Sequence, residues 1–130
     1  MTTYLADTHS LIWYFARPDL LGKAALSALD DVAESKAELI VPVIVLAELI
    51  FVIEKRTLHL DFGHILSHLQ DSSNVRITHL GLEYILDCHR LTAIPEMHDR
   101  LIVAEAIRRQ AILITRDGAI TNSGAVSVVW

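Results

Sequence analysis

Four acidic residues stand out by their surroundings. Glu48 lies inside VPVIVLAELIFVI (residues 41–53), where it is the single charge in an apolar run. Asp7 follows the apolar stretch TTYLA, Asp99 opens HDRLIVAEA, and Asp117 sits between LITR and a glycine. An unpaired ionised carboxylate among apolar side chains is very costly, so Glu48 must reach a cation, take up a proton or lie at a cleft wall. The other three have simpler readings. Asp7 suits a helix cap before SLIWYF. Asp99 suits the first turn of a helix, where it complements the dipole. Asp117-Gly118 is ordinary turn chemistry. Asp99 nevertheless shares a helical stripe with Ile102, Val103 and Ala106, the face that turns inward, and an acid aimed that way needs a partner.

One arrangement accounts for all four acids: a carboxylate cluster that repels itself when empty and is neutralised by a divalent cation. Mg2+ and Mn2+ prefer oxygen ligands, and Mg2+ commonly keeps several waters while one or two carboxylates hold it. Such an ion turns water into a nucleophile at neutral pH and stabilises charge developing on a phosphoryl oxygen.

The elements that must bring these acids together can be read from periodicity. TTYLAD predicts a short buried strand and THSLIWYFA a helix that stops near Arg17-Pro18. GKAALSALDDVAESKAE is Ala-rich and reads as helix throughout, followed by a strand at LIV. Pro42 suits the first turn of a helix from about Val43 to Lys55. DFGHILSHLQ is an amphipathic helix with Asp61 as its cap, and NVRIT is a strand. LEYILDCHRL repeats a helical stripe through Leu82, Ile85, Leu86 and His89, and a further helix covers Asp99 to Gln110. AILIT and VSVVW close the series as strands. Alternating strands and helices predict an α/β fold, with a central, mainly parallel sheet flanked by helices on both faces. Ligands bind such sheets beyond the carboxyl ends of the strands, where Asp7 and Asp117 both fall.

Composition narrows the class. The 130 residues fit one domain, 1–130, and 52% are hydrophobic, which points to an oligomer or a partner covering apolar surface. The apolar run at residues 39–53 is shorter than the roughly 18 residues of a membrane span and contains Pro42 and Glu48. The N-terminus has no secretory pattern, and the one cysteine, Cys88, has no intrachain partner; both agree with a cytoplasmic protein. A formal net charge of −5 is not that of a broadly basic nucleic-acid binder, so a polyanionic substrate requires a local cationic patch or a bound metal.

LADTHSLIWYF, VIVLAELIFVIEK, HDRLIVAEA and LITRDGAI, in this order over nearly the whole chain, resemble the four acidic motifs of PIN domains, and in particular VapC-type toxin ribonucleases of type II toxin–antitoxin modules. The resemblance implies a PIN-like fold and a Mg2+- or Mn2+-dependent endoribonuclease that cuts RNA phosphodiesters to 5′-phosphate and 3′-hydroxyl ends. Asp7, Glu48, Asp99 and Asp117 match the family's acidic positions, with Asp7 and Asp99 foremost in metal contact. Thr115 matches a polar position beside the site. Arg100, Arg116, Lys55 or Arg56 would supply local positive charge for the RNA backbone. The family also implies a cognate antitoxin and a homodimer. Many relatives carry Asp-Pro before the acid that precedes arginine, where this chain has PEMHDR, so the segment from Glu96 to His98 departs from the pattern.

Other chemistries fit less well. His64 and His68 are four apart, but HILSH lacks the glutamate of a zincin helix and both oppose the apolar stripe, which predicts a solvated face. His9 and His98 lie near the acids, in either a substrate-contacting or a structural role. Glu105 lies opposite the Asp99 stripe and can pair with Arg109 at i+4, which predicts a surface position. No nucleophile elbow or P-loop is present, and AILITRDG has arginine where a phospho-accepting regulator needs lysine. The remaining alternative is a catalytically silent PIN scaffold that binds RNA or protein.

Overall fold

The computed structural model describes all residues, 1–130. Five parallel strands, β1 (Thr3–Ala6), β2 (Glu38–Pro42), β3 (Val75–Thr78), β4 (Ile112–Ile114) and β5 (Val128–Val129), form one sheet in the order β3-β2-β1-β4-β5. Register pairs Leu5 with Ile40 on one side and with Leu113 on the other. Successive side chains in a strand point to opposite faces, yet Leu5 and Ala6, and Leu39, Ile40 and Val41, are all buried. Both faces of the sheet are therefore covered, as parallel sheets require.

The covering helices are α1 (Thr8–Ala16), α2 (Lys23–Ala33), α3 (Val43–Arg56), α4 (Phe62–Asp71), α5 (Leu82–Arg90), α6 (Met97–Arg108) and the short α7 (Gly118–Ser123). Their inward residues, including Leu11, Ile12, Val45, Leu49, Ile65, Val103 and Ile120, join the strand residues in one core. Complete burial of a side chain such as Leu113 contributes roughly 1.5–3 kcal/mol.

Several boundaries differ from the sequence expectations. Helix α2 ends at Ala33, because Ser35 adopts a left-handed φ of 59° and the chain then enters β2 at Glu38. Pro42 is both the last residue of β2 and the N-cap of α3. The 3-10 turn at Pro18–Leu20 and helix α7 had no periodic signal, being too short to show one. Two faces are reversed. Leu82, Ile85 and Leu86 on α5 are exposed, and it is Tyr84 that is buried, beneath the guanidinium of Arg108 at 5.8 Å from the ring centroid. Glu105, expected at the surface, is 4% exposed because α5 covers that side of α6; its predicted partner Arg109 is present at 3.3 Å.

Candidate active site

The sheet order reverses at β1, which pairs with β2 on one side and β4 on the other. Chains leaving β1 and β4 at their carboxyl ends diverge here and open a crevice. Asp7 follows β1 and Asp117 lies beyond β4, and each begins a helix. Asp7 Oδ1 accepts from the Ser10 amide at 2.8 Å and from the Ser10 hydroxyl at 2.5 Å. Asp117 Oδ1 accepts from the Ile120 amide at 2.9 Å. Both carboxylates therefore cap helices, as their local sequences suggested, and both keep Oδ2 without a protein donor.

Glu48 comes from the second turn of α3. Its Oε1 accepts a hydrogen bond from the Thr8 hydroxyl at 3.1 Å, which ties α3 to the start of α1. Asp99 lies in the first turn of α6 but does not cap it. Glu96 is the cap, with Oε2 accepting from the Asp99 amide at 2.8 Å and Oε1 paired with His98 Nδ1 at 2.8 Å. Helix α6 runs antiparallel to the strands and feeds β4, so its N-terminus also lies at their carboxyl edge.

Asp7, Glu48, Asp99 and Asp117 thus line one cavity of about 360 Å3, together with Glu96. A second cavity, of about 350 Å3, has mainly apolar walls around Leu11, Phe15, Val32 and Leu69 and contains none of the four predicted acids. The acidic cavity is also walled by His9, Trp13, Arg116 and Trp130.

Its electrostatics show the strain of gathered like charges. Burial pushes the Asp99 carboxyl from its ordinary 3.8 to about 6, helped by repulsion from Asp117, Glu96, Glu48 and Asp7. No hydrogen bond offsets these effects. Glu48 is also raised, by burial first, with the Thr8 hydroxyl working in the opposite direction. Glu96 ends below its usual value: burial works upward, but the amides of Asp99 and His98 and the His98 ring outweigh it.

This donor set fits a hard divalent cation. It is all carboxylate, with no thiolate, and its charge is uncompensated apart from Arg116 and the nearby imidazoles. No three side chains converge on one point as a closed ligand group. Residues at this cavity would hold Mg2+ or Mn2+ through one or two carboxylates and the ion's own waters, as is usual for Mg2+.

The remaining candidates separate. Thr115 is buried, and its Oγ1 accepts from the Asp117 amide at 3.1 Å, so it shapes the turn that carries Asp117. Arg116 lies on the cavity wall, 5.7 Å from the Trp130 ring centroid. Arg100 corrects an expectation: its Nε donates to the Ile94 carbonyl at 2.5 Å and its Nη1 to the Cys88 carbonyl at 3.3 Å, which engages it in joining α5 to α6. Lys55 and Arg56, at the far end of α3, do not line the cavity. His64 and His68 are exposed as predicted, with the His68 ring set edge-on to Phe15. Sequence reasoning missed Glu96, Trp13 and Trp130. For Glu96 a signal existed, an acid three residues before Asp99 at a helix start.

A family model for the PIN domain matches residues 4–123. No curated protein sequence matches the chain. Among solved structures, the chain is similar to VapBC2 from Rickettsia felis bound to a DNA fragment from its promoter, at 18% identity and a TM-score of 0.70, covering 98% of each chain. It is also similar to a toxin–antitoxin complex from Klebsiella pneumoniae, at 20% identity and a TM-score of 0.68, covering 98% of this chain and 96% of that one. FitAcB from Neisseria gonorrhoeae has the same coverage and TM-score at 18% identity. At these identities the likeness is one of fold, and it is the family-model match over almost the full length that assigns the chain: it belongs to the PIN domain family.

Proposed function

We propose that this PIN domain is a Mg2+- or Mn2+-dependent endoribonuclease, the toxin of a type II toxin–antitoxin module acting in the cytoplasm. The observation that carries the reading is the Asp99 carboxyl held near 6 by burial and by four other acids around one cavity at the sheet's carboxyl edge. A structural cap gains nothing from such repulsion, whereas a bound cation would relieve it.

Asp7 and Asp99 would be the principal metal-holding residues, with Asp117 completing the negative wall. When bound, the ion supplies positive charge to the phosphoryl oxygens and eases deprotonation of water. Glu48, raised by burial and oriented by Thr8, accepts the proton of the attacking water. Water oxygen bonds to phosphorus, the bond to the 3′ oxygen breaks, and that oxygen leaves with a proton from solvent, giving 5′-phosphate and 3′-hydroxyl ends. Arg116 is the cation on the cavity wall available to an RNA phosphate.

The similar solved structures include VapBC and toxin–antitoxin complexes, which supports an antitoxin as partner. Phe51, Leu82 and Leu86, exposed by 70%, 73% and 55%, supply apolar surface for partner chains, and we include a second copy of this chain among them.

The test is RNA cleavage with Mg2+ or Mn2+ and with chelator, comparing wild type with Asp7→Asn, a change that removes the charge but keeps a competent helix cap. Metal-dependent cleavage leaving 5′-phosphates, abolished in the variant alongside a loss of metal-induced stabilisation, is the expected result. Cleavage unaffected by chelator and by the substitution refutes the reading. RNA binding without cleavage points instead to the silent scaffold.

A further inference from the structure

We infer that Trp130 is a positioning residue for Arg116: its indole holds the guanidinium away from the carboxylates of the cavity and presents it to an RNA phosphate. The inference rests on the reading of Arg116 above as the cation that meets the RNA backbone. Arg116 is the one arginine or lysine on the wall of a cavity that also carries Asp7, Glu48, Glu96, Asp99 and Asp117. An arginine in such company would ordinarily pair with an acid, because guanidinium and carboxylate match as two forks. Arg116 does not. The ion pairs of the chain are Arg17 with Asp19, Lys36 with Glu34, His98 with Glu96, Arg108 with Asp87 and Arg109 with Glu105. What Arg116 does meet is the Trp130 ring, whose centroid lies 5.7 Å from its Cζ.

The choice of partner has chemical consequences. A salt bridge to a cavity acid would spend the N–H donors of the guanidinium and cancel negative charge that a metal ion needs. The face of an indole attracts the guanidinium through its quadrupole and takes up none of the donors that lie in the guanidinium plane. Those donors stay free for the fork-shaped contact that suits a phosphate. Arg116 is exposed, so without the ring nothing would fix this long side chain or keep it from swinging onto the acids.

Trp130 can do this because it is itself fixed. The Thr115 amide donates to the Val129 carbonyl at 3.2 Å, so the residues that precede Arg116 and Trp130 are tied together where β4 pairs with β5. The indole packs against the core. At the start of α2, a Cβ on Gly22 would fall 2.4 Å from the Trp130 carbonyl carbon and 2.6 Å from Cδ1, so only glycine lets the chain close against this residue. The ring is therefore a fixed platform, and an arginine supported on it loses less freedom on meeting an anion than an unsupported one.

The test is a double-mutant cycle read as RNA affinity, which does not depend on turnover. In an Asp99→Asn parent with Mg2+ present, fluorescence anisotropy follows the binding of a labelled oligoribonucleotide pool of random sequence. Arg116→Ala should weaken binding about 10- to 150-fold, the loss of a hydrogen-bonded charge. Trp130→Leu keeps apolar bulk against the core but has no π face, and should weaken binding about 2- to 5-fold, the worth of an exposed cation–π contact. Trp130→Phe restores a face and should recover most of that loss. Once Arg116 is alanine, Trp130→Leu should change nothing further. Circular dichroism melts establish that each variant is folded at the assay temperature, and Trp130→Met replaces Trp130→Leu should the latter not fold. The positioning role is overturned if Arg116→Ala keeps the parent's affinity, if folded Trp130→Leu binds like the parent or no worse than Trp130→Phe, or if its effect is the same with and without Arg116. Cleavage is scored separately, with Asp99 intact. Metal-dependent cutting upholds the nuclease whatever the cycle shows, whereas wild type that binds RNA without cutting overturns the nuclease and leaves the coupling standing. A parent and wild type that do not bind RNA at all overturn both.

Discussion

Replacing Asp99 by asparagine should stabilise the metal-free protein. A carboxyl whose pKa rises from 3.8 to about 6 on folding is penalised in its charged form, by at most about 3 kcal/mol at about 1.4 kcal/mol per unit. The group is only half-buried, and screening by water reduces the penalty to about 1–2 kcal/mol. The helix dipole works the other way, since a carboxylate in the first turn of α6 gains about 0.3–1 kcal/mol, which leaves a net penalty of at most about 1.7 kcal/mol. Below 3.8 the group is protonated in both folded and unfolded chains, and the penalty is absent. It grows between 3.8 and about 6 as the unfolded chain releases its proton more readily, and is complete above about 6. Wild type therefore loses stability relative to the variant as pH rises. For a domain of this size the difference amounts to at most about 8 °C in Tm at pH 7.5 and little or none at pH 4. Thermal melts in chelator at the two pH values measure it. Added Mg2+ should raise the Tm of wild type more than that of the variant. A fall of several degrees in the variant at pH 7.5, or an equal shift at both pH values, would refute the repulsion argument and return Asp99 to a structural role.

Thr8→Val removes the hydroxyl that donates to Glu48 while keeping the side-chain volume. The Glu48 carboxyl should rise further, moving the acid limb of the kcat/KM profile to higher pH and lowering the rate about two- to tenfold at pH 6, with less loss at pH 8. An unmoved limb would mean that Glu48 does not accept the proton. Arg100→Ala should cost about 1–3 kcal/mol in denaturant melts, because the Ile94 carbonyl loses its donor, while the folded variant keeps kcat/KM within about twofold. A large loss of activity at unchanged stability would restore Arg100 to the substrate.

The order of strands and helices was legible because the alternation is strong: LIV and AILI are compact apolar runs, and α3, α4 and α6 have clean caps or stripes. The edge carrying Asp7 and Asp117 followed from that order alone. Orientation was less accessible. Periodicity identified a stripe on α5 at Leu82, Ile85 and Leu86 but not that α6 would pack against the opposite side, where a tyrosine lies under an arginine. The same packing buried Glu105, whose i+4 pairing with Arg109 was readable and whose exposure was not. Arg100 shows the limit most sharply: its neighbour is a cavity acid, yet 100° of rotation per residue separates the two side chains, and Arg100 turns to the carbonyls of Ile94 and Cys88. Trp130 was beyond reach, because its place depends on Gly22, more than a hundred residues away.

The opposition between caps and metal ligands, which the sequence left open for Asp7 and Asp117, dissolves in the geometry. Helices that alternate with parallel strands run antiparallel to them, so the N-termini of α1, α3, α6 and α7 all lie at one edge. Each terminus presents unpaired amides and about half a positive charge. Asp7 and Asp117 commit Oδ1 to those amides and retain Oδ2, so capping fixes the carboxylate while leaving it an oxygen to offer a cation. At α6 the two tasks fall to different residues: Glu96 takes the cap, and Asp99, three residues on, keeps both oxygens. The one of the four acids whose carboxylate accepts no hydrogen bond is the one whose pKa rises most visibly, and that division makes Asp99 the residue on which the charge of the gathered acids bears hardest.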